Sequence, residues 1–175
     1  MKIRRVIGVV AGLVLAVGGA VGLSAPAWAA LPIATPTTCA FQTFNTHNYL
    51  TAMGGGGRTT DVIRTTETHL LSWERFRIVD AGDGVHVGIK TANGNFLTAV
   101  DGGGRTSNVL VSTATVLQSW EKFTLVRVGG DGFAIQTFDG HYLTAVSGGG
   151  RSSDVIHSDA TQIQAWELFI PTCGI

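Results

Sequence analysis

The segment "YLTAMGGGGR" (Tyr49 to Arg58) returns as "FLTAVDGGGR" (Phe96 to Arg105) and again as "YLTAVSGGGR" (Tyr142 to Arg151). The intervals are 47 and 46 residues. A period of this length means that one supersecondary unit is built three times, and that each unit needs its neighbours to bury its apolar face. The three copies span about residues 41–87, 88–133 and 134–175. Copy 1 carries one extra residue in its early turn, "NTHN" (Asn45 to Asn48) against "NGN" and "DGH". A second extra residue lies in "DAGDG" (Asp80 to Gly84).

Within each copy the pattern is that of short strands. In copy 1 "FQTF", "YLTA", "DVIRT" and "ERFRIV" alternate apolar with polar residues and are rich in Thr, Val, Ile and aromatics, as half-buried strands are. Asn-Gly and Asp-Gly in the early turns supply positive φ cheaply and read as hairpins. The glycine runs exclude helix, since each Gly there costs about 1 kcal/mol relative to Ala. Only the stretches before the tryptophans ("ETHLLSW", "ATVLQSW", "ATQIQAW") have room for one irregular or 3₁₀ turn. Twelve strands in three equivalent groups predict a closed all-β architecture. Propellers typically need at least four blades, and a solenoid needs distinct capping repeats. A pseudo-threefold barrel with a hairpin cap remains, the β-trefoil.

The first 29 residues read as a signal peptide. "MKIRR" is basic, Val6 to Leu23 is apolar, and Ala27 and Ala29 give the small-x-small pattern of a cleavage site. Cleavage after Ala29 leaves a short lead-in (30–38) and one domain (39–175), exported to the extracellular space. A single membrane anchor is the competing reading of the apolar stretch. The whole chain has 12 basic and 12 acidic residues. The leader holds three of the bases (Lys2, Arg4, Arg5) and no acid, so the remainder has net charge −3. That balance argues against a nucleic-acid surface, and no basic cluster stands ready for anionic lipid. Cys39 and Cys173 are the only cysteines and flank the three copies. In an exported chain they are expected to form a disulfide, which requires ends within about 7 Å, Cα to Cα. A closed barrel brings its ends together and an open array does not.

The recurring "[YF]-L-T-A-x-x-G-G-G-R … W-E-x-F" resembles the fascin-like (actin-crosslinking) superfamily of β-trefoils, in its bacterial secreted form. That form is often attached to polysaccharide-degrading enzymes. The resemblance covers about Phe41 to Pro171. It implies the β-trefoil fold and leaves function open, because trefoils serve as lectins, protease inhibitors, cytokines and actin bundlers.

Three sets of apolar residues recur: Leu50, Leu97 and Leu143; Val62, Val109 and Val155; Phe76, Phe123 and Phe169. All are expected in the barrel core. Trp73, Trp120 and Trp166 are expected in the core or its cap, the alternative being a face left open to stack on a sugar ring. The "GGGR" run lacks the Lys-Ser/Thr end of a phosphate loop and reads as a turn with several positive φ angles. It sets Arg58, Arg105 and Arg151 in equivalent places, with Asp61, Asn108 and Asp154 three residues on. Each Arg can brace one of these groups, or the Glu after each Trp (Glu74, Glu121, Glu167). Otherwise Arg with Asp or Asn beside bare Gly backbone makes a shallow polar site for sugar hydroxyls. The triplication argues against a single active site, and no G-x-S-x-G elbow occurs. The five histidines show no metal-ligand spacing, and His141 and His157 are expected as solvated side chains. No cofactor or metal is expected.

The sequence thus predicts a monomeric, non-catalytic module for polysaccharide or another glycan. The alternatives are a protein target, such as that of a protease inhibitor, and fascin-like actin binding. An inhibitor would use a loop unique to one copy, and 45–48 and 80–84 are the candidates.

Overall fold

The structure, a computed structural model, describes residues 35–175. The expected signal peptide (1–29) and the first part of the lead-in lie outside the described residues, as does the membrane-anchor alternative. Among the described residues no helix is long and apolar enough to cross a membrane.

Among the described residues there are twelve strands, and the helical segments between them are short 3₁₀ turns. Copy 1 supplies β1 (Thr37–Thr43), β2 (Tyr49–Ala52), β3 (Ile63–Glu67) and β4 (Phe76–Asp80). Copy 2 supplies β5 (Val87–Lys90), β6 (Phe96–Ala99), β7 (Leu110–Ala114) and β8 (Lys122–Arg127). Copy 3 supplies β9 (Phe133–Thr137), β10 (Tyr142–Ala145), β11 (Ile156–Ala160) and β12 (Leu168–Cys173). Six strands close a ring by antiparallel pairing in the order β1, β4, β5, β8, β9, β12 and back to β1. The other six form hairpins outside it, β2–β3, β6–β7 and β10–β11. Each hairpin joins the ring through one pairing: Gln42 with Tyr49, Lys90 with Phe96, Gln136 with Tyr142. Closure leaves the ring without a free edge.

Phe41, Phe76, Phe123 and Phe169 are fully buried, together with Ile78, Ile89 and Ile135. Full burial of each such side chain is worth about 1.5–3 kcal/mol. Leu50, Leu97, Leu143 and the three recurring valines join them. Cys39 and Cys173 are register partners in β1 and β12 and form the disulfide, with Cα atoms 4.0 Å apart.

Three boundaries differ from the sequence reading, one of them the fourth strand of copy 1, which begins at Phe76, two residues into "ERFRIV". The third strand of each copy begins two residues later than "DVIRT" suggests. Asp61, Asn108 and Asp154 sit at φ 47°, 48° and 49°, left-handed positions that Asp and Asn tolerate and that no strand can include. The first strand starts at Thr37 because Thr37, Thr38 and Cys39 already pair with β4.

The glycine run is a turn, and its partner is the next copy. Residues 54–57 hold φ between 65° and 109°, and the corresponding positions in the other copies follow suit. The last Gly and the Arg then bond to the third strand of the following copy. Gly57 N–H donates to Ser112 O (2.8 Å), Ser112 N–H donates to Arg58 O (2.8 Å), and Arg58 N–H donates to Ser112 Oγ (3.1 Å). Gly104 and Arg105 make the same bonds to Ser158 in copy 3. Gly150 and Arg151 make them to Thr65, back in copy 1. Three clasps therefore run head to tail around the molecule.

Candidate functional site

With their backbones committed to these clasps, the three arginines fold their side chains over their own loops. Each Nε–H donates to a carbonyl two residues on: Thr60, Ser107 and Ser153. Arg58 and Arg151 approach Asp61 and Asp154 at 3.6 and 3.5 Å. Arg105 pairs with Asp101 instead, because copy 2 has neutral Asn108 at the third position and an acid four residues before the Arg. These are half-exposed pairs of small energetic weight. The glutamates take no part in them. Glu121 is buried and accepts from Thr98 Oγ1 (2.7 Å) and Gln118 N–H (2.9 Å). Glu167 accepts from Thr144 Oγ1 (2.7 Å) and Gln164 N–H (2.8 Å). Glu74 accepts from Leu71 N–H, while the hydroxyl equivalent to Thr98, that of Thr51, is buried without a partner.

Asp61, Asn108 and Asp154 are brought to the lining of one depression. Residues 59–64, 106–110 and 152–156, one segment from each copy, line a single open depression of about 570 Å³. The arginines at 58, 105 and 151 are not part of its lining. Its floor is apolar: Ile63, Leu110 and Ile156 face it from above and the barrel interior from below. Asp61 is held by Arg64 through two bonds of 2.9 and 2.7 Å, which raise the Arg64 pKa further. Asp154 is held by His157 at 2.7 Å. In copy 2 the residue three positions after Asn108 is Val111, which has no polar side chain to bond it.

The tryptophans depart from expectation. Trp73, Trp120 and Trp166 are 43%, 46% and 47% exposed. In copies 2 and 3 the Trp rides on a one-turn 3₁₀ helix, Ser119–Glu121 and Ala165–Glu167. The buried Glu that follows fixes that turn from below, so the indole is turned outward while its neighbour goes in. Recurrence shows that three positions are equivalent; it does not tell which side of the wall they occupy. Beside Trp166 lies an open pocket of about 450 Å³, walled by Asp159, Thr161, Gln162 and Gln164. The corresponding residues are Thr113, Thr115, Val116 and Gln118 in copy 2, and Thr66, Thr68, His69 and Leu71 in copy 1. Copy 3 is the polar one.

His157 and His141 are half-buried, not solvated. His157 is tied to Asp154, and His141 Nδ1 is buried without a partner. Loop 80–84 is tied down: Asp83 accepts from Lys122 Nζ (2.8 Å) and from the backbone N–H groups of His86 and Val85. Lys122 foremost, then these backbone donors, hold its carboxyl well below the usual carboxylate range. Among the described residues no group of three or more His, Cys, Asp or Glu is placed to hold a metal ion.

No protein-family model and no curated protein matches the sequence. Solved structures do match the fold. The designed 3-fold symmetric protein ThreeFoil is 10% identical, with a TM-score of 0.67 over 77% of this chain and 97% of its own. SeviL, solved bound to asialo-GM1 saccharide, is 13% identical, with a TM-score of 0.59 over 79% of this chain and 98% of its own. The Rhizoctonia solani agglutinin is 18% identical, with a TM-score of 0.60 over 81% of this chain and 99% of its own. At these identities the likeness is one of fold, an all-β, trefoil-like chain.

Proposed function

We propose that this chain is an exported, non-catalytic, pseudo-threefold β-trefoil of the fascin-like, bacterial secreted type, and that it binds carbohydrate. The observation that carries the reading is Trp166, half exposed on a fixed turn and walling a pocket of Asp, Thr and Gln side chains. An indole face takes the apolar face of a pyranose, and nearby carboxylate, amide and hydroxyl groups take its hydroxyls. Trp73 and Trp120 add two platforms with fewer polar neighbours. The saccharide-bound SeviL and the agglutinin among the structural neighbours support the same reading. A single platform of this kind binds at about −4 kcal/mol, near-millimolar. Several on one polymer act together through effective concentration, so polysaccharide binds more tightly than monosaccharide.

The test is a pull-down of the exported protein, made with its own leader, on a panel of insoluble polysaccharides that includes bacterial cell wall. Intact mass should place the new N-terminus at Ala30. One or more polymers should retain the protein, and Trp166→Ala should release it while its melting curve stays cooperative. Retention by none of them would sink the carbohydrate reading and turn attention to a protein target.

A further inference from the structure

We infer that the depression over the barrel core is a second ligand site, one per molecule, which takes the terminal pyranose of a neutral glycan. This rests on the carbohydrate-binding reading and adds where a chain end would sit. The depression shares no residue with the pocket beside Trp166, and its volume is that of a small-molecule site. Its composition is amphipathic in the sense a sugar ring needs. The floor is Val and Ile or Leu from each copy, and the walls carry two successive hydroxyl residues from each, Thr59-Thr60, Thr106-Ser107 and Ser152-Ser153.

Charge narrows the ligand further. Asp61 is engaged by Arg64 and Asp154 by His157. Each of these carboxylates also has an arginine beside it, Arg58 at 3.6 Å from Asp61 and Arg151 at 3.5 Å from Asp154, so opposite charges balance around the depression and neither an anion nor a cation is favoured. Asn108 is the one amide side chain of the lining, and it offers donors and an acceptor together. A ligand that is neutral, apolar on one face and hydroxylated at its edge meets all of these groups. One segment from each copy lines the depression, so its hydroxyl residues stand on three sides of the floor. A ring inside a chain, with linkages leaving on opposite sides, would meet a wall, whereas a terminal ring would not. Triplication at this end thus yields one site instead of three.

The experiment is a ¹⁵N–¹H titration of the exported protein with methyl β-D-glucopyranoside, methyl β-D-galactopyranoside and N-acetylglucosamine as probes. At least one should shift the amides of Ser107, Asn108 and Ser153 with one-to-one saturation, and the shifts should persist in Trp166→Ala. Asn108→Gly retains a residue that accepts φ near 48° and removes only the amide. It should weaken the binding roughly tenfold, the scale of one lost hydrogen bond in a confined site. Ser107→Ala/Ser153→Ala is a second variant with the backbone untouched, and it should do the same. If polymers retain the protein but no probe shifts these amides, the second site is overturned and the Trp platforms stand. The same holds if the shifts fall on residues 159–167 and vanish in Trp166→Ala. If neither polymers nor probes bind, both readings fall together.

Discussion

A methyl group added at Gly149 would lie 2.7 Å from both Thr43 Oγ1 and Thr46 Oγ1, on a backbone at φ 107°. Those hydroxyls bond to each other at 2.8 Å, Thr43 at the end of β1 and Thr46 in the early turn of copy 1. Gly57 has a similar need for positive φ, but nothing stands within 4 Å of where its Cβ would go. Gly149→Ala should therefore cost about 2–5 kcal/mol, the sum of strain and overpacking. Gly57→Ala should cost only the strain, about 1–2 kcal/mol. Urea midpoints of the two variants measure the difference, and equal losses would show that the close approach carries no weight. The sequence made the turn legible through its glycines. It did not show that two of the three are required by a neighbour in another copy. That requirement comes from side chains about 100 residues away, which no local pattern displays.

The elements below the tryptophans offer an internal comparison, because one copy of the turn is wired differently from the other two. Thr144 donates to Glu167, whereas Thr51 is 2% exposed and its hydroxyl has no partner. Replacing a satisfied buried donor strands its acceptor, while replacing an unsatisfied one removes a penalty. Thr144→Val should destabilise by about 1–3 kcal/mol, and Thr51→Val should be neutral or stabilising by up to about 1 kcal/mol. Thermal melts decide it; a loss at both positions would mean that the hydroxyl of Thr51 is satisfied in solution. The strand pattern of these elements was readable because apolar residues alternate. The orientation of the Trp was not, since "SWE" and "AWE" place a large apolar residue next to an acid and leave open which goes inward. Here the acid does, because a backbone N–H waits for it in every copy and a Thr hydroxyl in copies 2 and 3. Loop 80–84 supplies a pH test at the same scale. Asp83 is held below its ordinary pKa, chiefly by Lys122. Its contribution to stability is therefore complete above the ordinary carboxylate range and is lost only as pH falls far below it. Asp83→Asn should lower stability at neutral pH and lose that deficit toward strong acid, read from melts across the acid range.

At the scale of the whole molecule, two devices join the last copy to the first, one in the ring and one in the hairpins outside it. One is the β1–β12 ladder, five register pairs from Cys39–Cys173 to Thr43–Phe169, with the disulfide at its end. The other is the third clasp, where Gly150 and Arg151 bond to Thr65. The sequence announced the first through two lone cysteines flanking a threefold repeat. It announced the second only as a repeated word, since a clasp between copies looks, in any one copy, like a turn. The disulfide closes a loop of 134 residues, and by chain entropy that closure is worth at most about 5 kcal/mol. Cys39→Ser/Cys173→Ser should accordingly stay folded, because ladder and clasp remain, yet lose several kcal/mol in a urea titration. The oxidised protein treated with reductant should fall to the same midpoint. Adding Thr65→Val removes the hydroxyl that receives Arg151 N–H (3.1 Å), while the backbone bonds of the clasp survive. If both devices hold the same seam, the combined loss should exceed the sum of the separate losses, because contacts that share one closure are not additive. Simple additivity would show that the seam is held by the barrel core alone, with the disulfide and the clasp acting as local fasteners.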